Sequence, residues 1–265
     1  MMDDRVTAAE NLRDYLSQTC DFGSVHHGSE TVRGCQVRMG GCVPDGRAGP
    51  ATRNVATGLG VTLPDQPLTP RIMTRGERDM RLGAIAFYWR PLPGNPEHVE
   101  LAPEFVRDHL QVVALQHPVK GTIHLTVNKA VVGSLGVLWN EWDRAGVLPD
   151  ILDIESFAPR FKRTLGTLAE RLDHCRSVAA LLNAADYLST HSWGAAYDVN
   201  PGKNPQGQPP LPLGTDGTIL RLLPAATRLS YAWGGRFLTQ DSEHFELGVL
   251  PLGGALPLGV SSSVG

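Results

Sequence analysis

The sequence predicts an α+β fold, in which helices cover one face of a small antiparallel sheet, together with a small all-α module at the N-terminus. Segments 121–127 and 243–247 alternate apolar and polar residues, which is the period of a half-buried strand. Between them, residues 130–145 place apolar side chains at the spacing of one helix face. Strand and helix patterns that follow one another in this way favour an α+β domain.

The composition limits the classes of protein to consider. The chain has 265 residues, 42% of them hydrophobic, which allows one large or two modest globular domains. A net charge of −3 offers no basic field for a polyanion, so we expect no nucleic-acid partner. The N-terminus opens acidic, and no apolar run of signal-peptide or membrane-span length follows it. We therefore expect neither a signal peptide nor a membrane span.

The first 62 residues are typical of a small helical module. Segments 6–19, 31–40 and 49–56 have helical character, and an Asp45-Gly46 turn separates the last two. Eight residues match the pattern of the peptidoglycan-binding repeat of many cell-wall hydrolases: Val32, Gln36, Asp45, Gly46, Gly49, Pro50, Thr52 and Val55. The segment resembles that repeat, although Cys35 stands where the repeat usually has leucine. A generic helical hairpin would give the same pattern, and pairing of Cys35 with Cys42 stays open.

Composition also indicates where the chain divides. Residues 63–84 are rich in proline and arginine with little periodicity, so we expect a linker there. We expect a second domain over residues 85–265. Its last residues, 252–265, are small and contain glycine and serine, which is typical of a frayed terminus.

Within the second domain, strand and helix patterns follow in order. Residues 121–127 form a predicted strand with alternating apolar residues. The helix predicted over 130–145 ends at Gly146, a residue suited to a helix C-terminus. Further helical stripes begin at Leu165 and at Ile219.

Two later segments, 189–200 and 241–247, combine metal-binding residue types with strand-like alternation. Alternation places Asp198 on the polar face of the first strand and His244 on the polar face of the second. If the two strands are neighbours, these side chains converge, and His191 can reach them from the preceding loop. Two imidazole nitrogens and one carboxylate oxygen suit Zn²⁺ and leave a fourth position for water, as in catalytic rather than structural sites.

The acidic residues around His244 have candidate roles in such a site. Asp241, three residues earlier, is placed to accept a proton from a zinc-activated water that attacks a carbonyl. Glu246 shares the face of His244 and would instead orient its imidazole. Glu243 is expected to point away if the strand begins there.

Together these motifs resemble a known family. The matching residues are Ser189, His191, Gly194, Ala196 and Asp198, then Trp233, Gly234 and Gly235, and finally Asp241, His244, Phe245 and Glu246. They resemble the zinc peptidases of bacterial cell-wall turnover, a family that contains D-alanyl-D-alanine carboxypeptidases and dipeptidases together with phage L-alanyl-D-glutamate endopeptidases. The resemblance implies the hedgehog/D,D-peptidase type of fold. It also implies zinc ligands at His191, Asp198 and His244 and a general base at Asp241.

The resemblance extends upstream and implies a role for an arginine. Arg160, which follows an aromatic residue and a proline, matches the residue that holds the substrate carbonyl and the developing oxyanion. The spacing to His191 is longer than expected, so Arg163 and Arg176 remain alternatives. Ser189, Glu246 and Trp233 are candidate outer or substrate contacts, although core packing is the commoner role of such a tryptophan.

The sequence therefore predicts a zinc-dependent peptidoglycan peptidase of the endolysin type, most simply an L-alanyl-D-glutamate endopeptidase. A D-alanyl-D-alanine carboxypeptidase or dipeptidase is the first alternative, and a non-catalytic zinc- or wall-binding protein is the second. An aspartate at the base position favours the phage branch, because some other members have glutamate there. For a lysis enzyme of this kind we expect storage in the host cytoplasm and action on the cell wall after release, unless the protein is exported otherwise.

Overall fold

A computed structural model describes residues 3–24 and 26–250 of the chain. In this part the α-helices are α1 Asp4–Thr19, α2 Glu30–Met39, α3 Pro50–Gly58, α4 Arg75–Leu82, α5 Pro103–His109, α6 Val132–Arg144, α7 Leu168–Ala179 and α8 Leu223–Arg228. The strands are β1 Arg71–Ile72, β2 Phe87–Trp89, β3 Val99–Leu101, β4 Leu110–His117, β5 Gly121–Asn128, β6 Ile154–Glu155, β7 Ala196–Val199, β8 Tyr231–Trp233 and β9 His244–Val249. The predicted fraying of 252–265 lies outside the described residues.

The sheets are small and antiparallel. Strand β9 is the centre of the largest sheet, because β1, β7 and β8 all pair with it. Strand β6 extends this sheet beyond β7, while β2 with β3 and β4 with β5 form two separate hairpins. The predicted α+β class with small antiparallel sheets is confirmed. No helix in the described ranges is long and apolar enough to span a bilayer.

One face of the central sheet packs against helix α6. The stripe predicted from the sequence puts Trp142 in the core, where its indole meets the Phe245 ring edge-on at 6.2 Å between centroids. The Trp142 Nε1 donates a hydrogen bond to the Leu222 carbonyl at the start of α8. Because alternate residues of β9 point to opposite faces, burial of Phe245 in this core turns His244 and Glu246 to the other face.

A buried glutamine on α2 connects this helix to the turn 45–47 and to α3. The Gln36 side chain donates to Asp45 Oδ1, to the Arg47 carbonyl and to Thr52 Oγ1, and it accepts from the Gly46 amide. These bonds fix the turn between α2 and α3. Both Cys35 and Cys42 are free thiols.

The N-terminal helices also contact the second part of the chain. Arg236 donates to the Cys20 carbonyl after α1 at 2.8 Å. A ring nitrogen of His27 lies 3.0 Å from the Leu238 carbonyl. The loop that contains Arg236 and Leu238 thus contacts the connection between α1 and α2.

The segment 63–84, which we expected to be a linker, contains β1 and α4. Strand β1 pairs with the end of β9, and a reciprocal Thr74–Glu77 capping box begins α4. At the end of α4, the Leu82 and Gly83 carbonyls accept hydrogen bonds from the buried side chains of Asn128 and Trp193. Part of this segment is therefore packed against later parts of the chain.

Replacing Gln36 with leucine should lower the free energy of unfolding by about 1–3 kcal/mol, because the buried partners of its amide would lose their hydrogen bonds. Urea denaturation of the variant measures this loss. The exposed Gln18→Leu on α1 is the control and should leave the midpoint unchanged. An equal midpoint for Gln36→Leu and wild type would contradict the prediction.

Candidate metal centre

Backbone register brings the predicted ligands together. Strands β7 and β9 pair with Asp198 directly opposite His244. His191 lies in the short 3-10 turn Thr190–Trp193 that precedes β7. The turn ends at Gly194, which has φ +67° and lies so close to the Asn128 amide that a Cβ would approach it to 2.8 Å. A glycine is needed there to turn the chain from His191 into β7.

The three donor atoms point at one another. His191 Nε2 lies 2.9 Å from Asp198 Oδ1 and 3.1 Å from His244 Nδ1, and His244 Nδ1 lies 3.1 Å from Asp198 Oδ1. Ligands of a tetrahedral zinc ion at its usual bond lengths are about 3.3 Å apart. The three residues are buried, and they are the group in the described residues whose donor atoms converge in this way.

Hydrogen bonds on the far side of each imidazole orient its donor nitrogen. His191 Nδ1 lies 2.5 Å from the Ser156 carbonyl, which can only accept a hydrogen bond, so Nδ1 is the donor. His244 Nε2 lies 3.0 Å from Glu246 Oε2, so this nitrogen donates to a carboxylate. Once His244 has lost the proton that it carries in the metal-free protein, both rings direct a lone pair toward Asp198, and such outer partners are typical of metal-binding histidines. The residues present fit a zinc ion.

Burial and charge act against each other in this cluster. Burial opposes ionisation of Asp198, but both histidines, led by His191, outweigh it and hold the pKa of Asp198 well below its usual value. Burial also disfavours charged His244, yet hydrogen bonds to Asp198 and Glu246 raise the pKa of His244 to about 10. The pKa of His191 is lowered, mainly by burial. In the metal-free protein the proton of the cluster therefore resides on His244.

Among the candidate arginines, Arg160 lies beside the metal ligands. Its Nη2 is 3.4 Å from Asp198 Oδ2, the oxygen turned away from the histidines, and the side chain is buried. Its backbone is held by the Ser192 hydroxyl and by the Ser189 amide. Arg163 is exposed and lines the same cleft, whereas Arg176 pairs with Asp173 on the exposed side of α7.

Asp241 lines a cleft of about 290 Å³ together with Arg160 and His244. Its Oδ1 is buried and has no hydrogen-bond partner, and burial raises the pKa of this carboxyl. Its backbone amide donates to the Gly234 carbonyl at 3.0 Å. A Cβ at Gly234 would lie 2.4 Å from the Asp241 carbonyl, so this glycine allows the close approach. An unpaired carboxylate next to the ligands is suited to accept a proton.

The remaining predicted residues separate into two groups. Ser189 and Glu246 line the cleft. Trp233 does not: it is buried, and its indole Nε1 donates to the Ser242 carbonyl. Its position fits the packing alternative.

The structure adds three residues that sequence reasoning missed. Arg78 and Lys162 line the cleft. Glu243 was expected to point away, but β9 begins at His244, so alternation does not fix the direction of Glu243. It is buried, and burial together with nearby Asp198 raises its pKa to about 8. Arg78 gave no sequence signal, whereas Lys162 lies two residues after Arg160 and could have been considered.

Comparison with known proteins agrees with this geometry. Residues 183–247 match a family model described as D-alanyl-D-alanine carboxypeptidase, and the match includes all three donor residues and Asp241. No curated protein and no solved structure gave a significant match to the chain. The family match supports a peptidase.

Glu246→Gln should weaken zinc binding by about 10- to 100-fold, because a neutral amide orients and polarises the His244 ring less well than a carboxylate. Competition with a chromophoric chelator measures the dissociation constant. Glu104→Gln, on the exposed side of α5, is the matched control and should bind zinc as wild type does. Unchanged affinity in Glu246→Gln would show that this hydrogen bond does not orient a zinc ligand.

Zinc affinity should rise with pH by about tenfold per unit between pH 6 and 8, because His244 must lose its proton to bind the metal. Affinity rises rather than falls with pH because the pKa of His244 is about 10 in the metal-free protein, which keeps this residue protonated throughout the range. Calorimetry in buffers of different ionisation enthalpy should detect a released proton. A pH-independent affinity would mean that His244 is already neutral before zinc binds.

Proposed function

We propose that the chain is a zinc-dependent peptidase that hydrolyses a bond in the stem peptide of peptidoglycan. The main support is the convergence of His191, Asp198 and His244 beside the unpartnered carboxylate of Asp241 in one cleft. The match of residues 183–247 to the carboxypeptidase family model supports the same chemistry. A binding protein without turnover would not need the partly buried Asp241 carboxylate, whose desolvation is costly.

A bound zinc ion would polarise the substrate carbonyl and make the attacking water more acidic. Asp241 accepts the proton of that water and returns it to the departing amine. The raised pKa of Asp241 brings its basicity closer to neutral pH, which favours proton transfer in both directions. Arg160 donates hydrogen bonds to the carbonyl oxygen as negative charge develops on it.

Two stem-peptide bonds are candidate substrates. Aspartate rather than glutamate at position 241 favours the L-alanyl-D-glutamate bond, by the resemblance to phage endopeptidases. The description of the matched family favours the D-alanyl-D-alanine bond instead. Hydrolysis of the first bond exposes a D-glutamate amino group, whereas hydrolysis of the second releases free D-alanine.

We infer that residues 1–62 are a wall-binding module and that residues 85–265 contain the catalytic domain. The contacts of Arg236 and His27 across the two parts would keep the module beside the cleft. This arrangement supports action on the cell wall. Storage in a host cytoplasm before release remains a prediction.

Asp241→Asn should reduce peptide hydrolysis by about 10²- to 10⁴-fold, because the amide cannot accept the proton of the attacking water. Mass spectrometry of purified peptidoglycan digested by the full-length, zinc-loaded protein measures new amino termini and free D-alanine. Asp143→Asn, on the exposed side of α6, is the control and should keep wild-type activity.

The zinc content of both variants should equal that of wild type. Equal hydrolysis by Asp241→Asn and wild type would exclude Asp241 as the base. Failure of the zinc-loaded wild type to release either product would exclude the proposed peptidase activity.

A further inference from the structure

A buried arginine reaches the cleft from outside the matched region. Arg78, on α4, is only 3% exposed, and it lines the same cleft as His244 and Asp241. Its Nη1 donates to the Met73 carbonyl at 3.1 Å, and its guanidinium carbon lies 4.8 Å from the centroid of the Trp193 ring. The ring and the backbone thus fix the direction of the side chain.

The charge of Arg78 is not matched by an ion pair. Its Nε is buried and has no hydrogen-bond partner, and no carboxylate of the described residues lies within 4.0 Å of its guanidinium. The neighbouring Arg75, in contrast, pairs with Asp79 and Asp186. A buried cation with an unused donor is costly unless an anion completes the site.

A second cationic side chain, that of Lys162, lies at the exposed edge of the same cleft. Lys162 lies with Arg78 in the wall of the cleft and also in the wall of an adjoining cavity of about 240 Å³ next to β1. Among the described residues, the hydrogen bond of its Nζ is to the Asp186 carbonyl, at 3.3 Å. A flexible ammonium at the opening and a fixed guanidinium inside are complementary to one anionic group.

The balance of charge in the cleft also favours an anion. The residues that line it include two carboxylates, Asp241 and Glu246, and four cationic side chains: Arg78, Arg160, Lys162 and Arg163. One oxygen of Glu246, Oε2, accepts from His244 Nε2, whereas its Oε1 is buried without a hydrogen-bond partner; Arg160 lies beside Asp198. Glu246 attracts Arg78 and Lys162 electrostatically but forms no ion pair with either in the described part of the chain, so their side-chain donors are available to a ligand.

We propose that Arg78 and Lys162 form a subsite for a substrate carboxylate adjacent to the bond that is cut. This inference rests on the proposed function and deepens it. Both candidate bonds have such a group on their leaving side: a D-glutamyl residue keeps one free carboxylate, and a D-alanyl-D-alanine terminus ends in one. The subsite selects peptides with this carboxylate over the corresponding carboxamides.

The subsite makes α4 part of the substrate-binding machinery. Arg78 lies in the segment 63–84, outside the matched residues 183–247. Selection for the carboxylate thus depends on a helix that precedes the catalytic motif by more than a hundred residues.

Binding of matched peptides to the full-length, zinc-loaded Asp241→Asn protein tests the subsite without turnover. One pair of peptides contains L-alanyl-D-glutamate as the free acid or as the carboxamide, and a second pair ends in D-alanyl-D-alanine as the acid or the amide. We expect the acid of one pair to bind at least about tenfold more tightly than its amide by calorimetry. The pair that shows this preference identifies the source of the carboxylate.

When Arg78→Gln is introduced into the Asp241→Asn protein, its affinity for the acid peptide should fall to its affinity for the amide peptide. Arg81→Gln, an exposed arginine on the same helix, is the control and should keep the preference. Because Arg78 is buried, circular dichroism must show that its variant is folded. If Arg78→Gln does not fold, Lys162→Gln, at an exposed position, gives a second measurement. It should lower the preference for the acid over the amide at least threefold.

Equal affinity for acid and amide in both pairs would overturn the subsite. An acid preference that survives both Arg78→Gln and Lys162→Gln would also overturn it, since zinc alone would then attract the carboxylate. If the zinc-loaded wild type cleaves neither acid but binding still depends on Arg78, the subsite stands and the proposed peptidase activity fails.

Discussion

The pairing of β7 with β9 is the constraint on which the candidate site depends. Their register places Asp198 opposite His244, and the same register buries Tyr197 and Phe245 on the other face. A shift by one residue would move every side chain of the strand to the opposite face. The hydrophobic core beneath the sheet therefore also fixes the positions of the metal-binding side chains above it.

The carboxylate of Asp198 connects the metal ligands to Arg160. One oxygen faces both histidines, and the other lies 3.4 Å from the Arg160 guanidinium. Asp198, which would bind the metal, thus also orients Arg160, which would bind the substrate oxygen. Such shared contacts make the energies of individual residues non-additive, since removing Asp198 would disturb both partners.

The central residues of the site were predictable because local periodicity determines them. Alternation along β7 and β9 assigns Asp198 and His244 to polar faces without knowledge of the rest of the chain. Arg78 was not predictable, because its place in the cleft depends on β1 pairing with β9, a contact between distant parts of the sequence. The direction of Glu243 was uncertain for another reason: it lies one residue before β9, where alternation no longer applies. The helices α2 and α3 and the stripe of α6 were predictable from turn and spacing signals, whereas the packing of 71–82 against the sheet was not.

The central position of β9 affects how the protein can fold. Strands β1, β7 and β8 all pair with β9, so none of these pairings exists until β9 has formed. The pairing of Arg71 with Val249 closes a loop that contains most of the described chain, and such long-range contacts slow folding. Until β9 pairs with β7, Asp198 and His244 have no common scaffold. Assembly of the sheet, of its core and of the candidate metal centre thus depends on the same contacts between distant parts of the sequence.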